Sequence, residues 1–83
     1  MRNTFKSRIK EEISGAFENY PSPFKGTPLE LPTTQRSVAN VIEICKMRVS
    51  EYSLTLNITD KEVCDILDEV AEEITNEIIK RPK

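Results

Sequence analysis

Along residues 4–20 the apolar positions return every three or four residues: Phe5, Ile9, Ile13, Ala16, Phe17 and Tyr20. At about 100° per residue they share a stripe about 120° wide, the width a core-facing helix needs. The pattern predicts a helix over 4–20, capped by Asn3 or Thr4 and stopped by Pro21. Gly15 interrupts it at a cost of roughly 1 kcal/mol against alanine. It is either a point of close helix packing or a tolerated weakness.

Residues 34–52 repeat the pattern with Val38, Val41, Ile42, Cys45, Val49 and Tyr52, and Thr33 or Thr34 can cap the helix. Ile44 and Met47 fall outside that stripe. Apolar residues off the buried face point to a second contact, with a loop or with another molecule. Residues 53–58, SLTLNI, alternate apolar and polar, which suits a short extended link. A single strand leaves its edges unpaired, so no sheet is expected.

Residues 60–80 carry the clearest helical signal. Thr59 and Glu62 have the spacing of a capping box, and Ile58 and Val63 that of a hydrophobic staple. Asp60 and Glu62 stand at the positive end of the helix dipole, Lys80 and Arg81 at the negative end, and Pro82 follows. Val63, Ile66, Leu67, Val70, Ala71, Ile74 and Ile78 form the buried stripe, and Ile79 projects away from it.

Between the first two helices, residues 21–33 (PSPFKGTPLELPT) hold four prolines and a glycine. Proline lacks the backbone donor and disfavours helix at the preceding residue, so the segment is expected to be extended. Phe24, Leu29 and Leu31 can pin it across the helices as a packed crossover; a binding edge is the other reading. The expected architecture is a single all-α domain over 1–83: a three-helix bundle with an extended proline-rich crossover between the first and second helices. An intertwined oligomer is the alternative, since so small a core rarely supplies more than about 3–5 kcal/mol.

Charge sharpens this picture. Residues 1–50 hold eight basic and five acidic groups, net +3; residues 51–83 hold four and nine, net −5; together they give the chain's −2. Asp65, Asp68, Glu69, Glu72, Glu73 and Glu77 crowd the third helix, with like charges at i, i+4 that repel by about 0.2–0.5 kcal/mol per pair. Basic residues of the first helix, a basic protein surface or a divalent cation would each relieve them; otherwise they form a solvated face. Carboxylates on one exposed helix do not enclose a cation, so no metal is expected. Arg2, Lys6 and Lys10, at i, i+4 and i+8, form a basic edge that could contact phosphates. The acidic total and the lack of aromatic interleaving weigh against nucleic acid.

The chain has no histidine and no glycine-rich phosphate loop, which removes the usual proton relays and nucleotide cradles. Cys45 lies on the buried stripe of the second helix and Cys64 borders that of the third; both read as small core hydrophobes, a redox pair facing one interior being the alternative. Two thiols do not make a secreted disulfide scaffold, and the charged N-terminal residues do not resemble a signal peptide. A cytoplasmic chain with no apolar run of spanning length is expected. No catalysis and no cofactor are expected.

The expected function is therefore non-catalytic binding of another protein, as a small regulatory or inhibitory accessory protein that occupies a surface. Its size and charge density have the general make-up of viral or mobile-element accessory proteins. Two surfaces are candidates: an apolar one at Ile44 and Met47, joined by Phe24 and Ile79, and an acidic one at Glu69, Glu72 and Glu73. Nucleic-acid or nucleotide binding through Arg2, Lys6 and Lys10 is one alternative. A structural subunit of a homo-oligomer is another.

Overall fold

The computed structural model describes residues 2–18 and 24–80. Among these, four α-helices follow in order: α1 (Arg2–Ala16), α2 (Glu30–Lys46), α3 (Val49–Leu56) and α4 (Asp60–Lys80). The described residues hold helices and no strand, as expected, but the helix count among them is four rather than three.

α4 is the centre of the structure. Val63, Ile66, Leu67 and Val70 are wholly buried, and Ile74 and Ile78 nearly so. α1, α2 and α3 each pack on this face. α1 contributes Phe5, Ile9 and Ile13, the turn after it Phe17, and α2 Val38 and Ile42. The expected Ala16 is exposed at the end of α1. Tyr20, Pro21, Arg81 and Pro82 lie outside the described residues.

The start of α4 follows the local signals. The Glu62 amide donates to Thr59 Oγ1 at 3.1 Å, one half of a capping box. In place of the other half, the Thr59 hydroxyl donates to the Glu62 carboxylate at 3.5 Å. Ile58 packs on the core beside the wholly buried Val63.

α2 begins four residues earlier than its threonines suggest. Pro32 occupies the third helical position, where the missing amide hydrogen would have had no intrahelical partner anyway. Leu29 is the capping residue and makes no side-chain cap bond, so Thr33 and Thr34 do not cap the helix. Likewise α1 already includes Asn3 and Thr4. Since α1 also ends four residues early, at Ala16, the connection is shifted rather than shortened, and its described part is a turn rather than an extended strand. Gly26 takes φ 81°, a left-handed conformation that favours glycine. Thr27 donates its hydroxyl to the Phe24 carbonyl at 2.6 Å and its amide to the same oxygen at 2.9 Å.

The second helix expected over 34–52 breaks after Lys46, and the expected extended link is mostly helix. Arg48 leaves helical geometry at φ −106°, ψ 16°, and its amide donates to the Cys45 carbonyl at 3.0 Å. The reason lies in the length of α4. Lys46 reaches Asp68 at 2.9 Å, so α2 ends about two turns short of where α4 begins at Asp60. α3 covers the remainder with Val49, Tyr52 and Leu56, which share one helical face and pack on the core. Asn57 ends α3 in the left-handed region at φ 57°, and the Ile58 amide donates back to the Ser53 carbonyl at 3.1 Å.

Helix directions follow from the cross-helix ion pairs. Lys6 meets Glu69 and Glu73, and Lys10 meets Glu73 and Glu77, so partners advance together and α1 runs parallel to α4. Lys25, before α2, lies at the C-terminal end of α4, whereas Lys46 lies near its start, so α2 is antiparallel. The molecule measures 42 × 18 × 15 Å.

Two substitutions test this packing. A Cβ at Gly15 would meet nothing within 4 Å, so this glycine does not serve close helix packing. Gly15→Ala should raise stability by roughly 0.5–1 kcal/mol, read from urea denaturation. Thr34 is wholly buried, and its hydroxyl has no hydrogen-bond partner among the described residues. Thr34→Val removes an unpaired polar group at nearly constant shape and should add on the order of 1 kcal/mol. A thermal melt would then shift upward by roughly 4–8 °C.

Candidate functional site

The two charged candidates meet each other. Lys6 Nζ lies 2.5 Å from Glu73 and 3.5 Å from Glu69. Lys10 Nζ lies 3.1 Å from Glu73 and 2.8 Å from Glu77. The result is a ladder of alternating charge along the α1–α4 seam. It holds Lys6 above its ordinary pKa, chiefly through the hydrogen bond to Glu73, with desolvation opposing. Lys10 is raised first by Glu77 and then by Glu73. Glu73 is lowered, first by Lys6 and then by Lys10. Of Arg2, which opens α1, the side chain is outside the described set.

Other carboxylates of α4 are also engaged. Asp68 holds Lys46 of α2 at 2.9 Å and raises its pKa. Asp65 holds Lys61 one turn away at 3.0 Å and raises it similarly. The expected acidic docking face is therefore divided. Glu69 and Glu73 face α1, while Glu72 lies exposed beside a groove between α2 and α4.

The apolar candidate divides as well. Ile44 is 64% exposed and Met47 84% exposed, at the C-terminal end of α2 and the turn that follows. Phe24 and Ile79 are half-buried at the opposite end of the molecule. There Lys25, next to Phe24, donates to the carbonyls of Ile78 at 3.2 Å and Ile79 at 2.6 Å. The rise of α2 from Glu30 to Ile44 separates the two ends by about 21 Å. These four residues do not form one patch.

The Lys25 clamp was not apparent from the sequence. Its ammonium caps the last carbonyls of α4, where the helix dipole is negative, and pairs with Glu30 at 2.8 Å. It ties the crossover, α2 and α4 together. A lysine in a turn, five residues before a glutamate at a helix start, is the only local trace of it.

A second unexpected feature is a cleft between α1 and α3 of about 660 Å³, larger than the α2–α4 groove of about 260 Å³. Phe5, Ile9, Tyr52 and Leu56 line it, and Leu54 stands at its edge, 83% exposed. The Phe5 and Tyr52 rings pack with centroids 5.1 Å apart at 54°. Reading 49–56 with helical period places Val49, Tyr52 and Leu56 inside and leaves Leu54 outside.

Cys45 and Cys64 are free and half-buried. Burial, then Glu12, pushes the Cys45 thiol up, with Arg48 opposing, so little thiolate forms near neutral pH. Among the described residues no group of three or more metal-ligating side chains could hold an ion, and no helix is long and apolar enough to cross a membrane. Compared with known proteins, the chain matches no family, no curated protein and no solved structure.

The ladder makes a prediction about pH. Glu73 is depressed, so its contribution is present above its ordinary value of 4.5 and lost as pH falls through its lower folded value. The raised Lys6 and Lys10 contribute below 10.5 and lose that contribution as pH rises through their higher folded values. Glu73→Gln should lower stability at neutral pH and flatten the loss below pH 4.5. Urea melts of both chains from pH 7 downward would check this. An acid slope identical to wild type would show that the ladder contributes nothing.

Proposed function

We propose that this chain is a non-catalytic protein-binding module, a small regulatory or inhibitory accessory protein that acts by occupying a partner's surface. The observation that carries this reading is the exposure of Ile44 and Met47 at the α2–α3 corner. Neither is spent on the core, and they lie three residues apart at the end of one helix. Burying each against a partner is worth roughly 1.5–3 kcal/mol, enough to anchor an interface whose rim is polar.

The charged alternatives are weaker. Lys6 and Lys10 already face Glu69, Glu73 and Glu77, so a nucleic acid or nucleotide would have to displace those carboxylates. A basic protein seeking the acidic face would compete with the same two lysines. Glu72 remains open on the other side, where it can steer a partner's approach.

Met47→Asp is the test. An exposed position of this kind should change stability by no more than about 0.5 kcal/mol. A tagged wild-type chain, recovered gently from its own cells and analysed by native mass spectrometry, should carry a second protein at fixed stoichiometry. The variant should bind that protein at least tenfold more weakly. Raising salt should matter little, whereas phosphate contacts would weaken steeply. A variant that unfolds places Met47 in the core, and one that retains the partner removes this corner from the interface; either result sinks the reading.

A further inference from the structure

We infer that the cleft between α1 and α3 receives a second copy of this chain, in a two-fold symmetric dimer. The observations are the shape of the cleft, its apolar edge and the uncommitted charges on its rim. Its floor is formed by Phe5, Ile9, Tyr52 and Leu56, and Leu54 at its edge is 83% exposed. One patch thus carries both a projecting leucine and a hollow of about 660 Å³ that can take one. In a two-fold contact the same surface serves both partners, so each Leu54 enters the cleft of the other chain.

The rim selects this occupant over a foreign segment. It carries Arg8 and Glu12 on α1, with Glu51 on α3 and Arg48 at the α3 cap. Among the described residues none of these four makes an ion pair. Lys6, Lys10, Lys25, Lys46 and Lys61 are all paired. Two positive and two negative groups left open around one apolar hollow are complementary to themselves. In this two-fold contact Arg8 of one chain meets Glu51 of the other across the symmetry axis.

The Ile44–Met47 corner is left to a different partner.

Analytical ultracentrifugation at a concentration on the order of 100 µM, which saturates a micromolar dimer, tests the inference. The wild-type chain should sediment at twice its 9.5 kDa mass. Leu54→Asp should sediment as a monomer and, diluted far below the dimer's dissociation constant, melt at the same temperature as the wild-type chain, since Leu54 has no place in the core. Arg8→Glu and Glu51→Arg should each be monomeric alone, because each creates two like-charge contacts in the dimer. Mixed one to one they should recover the doubled mass, since both contacts then join opposite charges. A wild-type monomer overturns the inference in favour of a foreign segment in the cleft. A dimer untouched by Leu54→Asp, or no recovery on mixing, overturns the placement of the interface.

Discussion

A 21-residue helix that hides one whole face from water has to be covered along its full length, about 31 Å. That requirement on α4 organises the rest of the chain. α2, with 17 residues, begins at the C-terminal end of α4 and runs out opposite Asp68. The remaining face needs a second element, which α3 supplies after a break at Met47 and Arg48. α1 lies parallel to α4 and places three large apolar side chains in the core, with Phe17 just beyond its end. The break in the second arm is thus a consequence of cover and length, and it leaves Met47 and Leu54 turned outward.

α4 also organises the charges. Its carboxylates flank the buried face and reach each neighbour: Glu69, Glu73 and Glu77 toward α1, Asp68 toward α2. Its C-terminal carbonyls accept from Lys25. Each exposed pair is individually weak, because water screens it and two flexible side chains must be held. Their combined effect is to hold the basic edge of α1 and the end of α2 against the acidic edges of α4, while the fit of the apolar faces sets the register. The uneven charge of the two halves is largely consumed inside the molecule. Besides Glu72 and the balanced charges on the rim of the cleft, the features left open are apolar: the Ile44–Met47 corner and the α1–α3 cleft.

Several of these features were legible from local chemistry. The four-residue recurrence of Phe5, Ile9, Ile13 and Phe17 defines the buried face of α1, because side chains at that spacing project from one side of a helix. The apolar stripe of α4 and the Thr59 cap place its start correctly. Ile44 and Met47 were readable as exposed because they lie off the stripe that Val38 and Ile42 define. Pro32 misled, because a proline that blocks a helix interior is harmless in the first turn, and only the actual start of α2 tells the two apart. The segment 53–58 misled because six residues are too few to separate a two-residue period from a helical one.

By itself the sequence determined that the chain is helical, which face of α1 and α4 is buried, and which apolar residues of α2 are surplus. These are properties of spacing along one segment, and spacing survives without knowledge of neighbours. Only the tertiary structure decided the break after Lys46, the pairing of Lys6 and Lys10 with α4, the clamp at Lys25 and the cleft under Leu54. Each depends on the direction and register in which distant segments meet. Those are set by covering one long apolar face with helices of unequal length, and no local pattern records them.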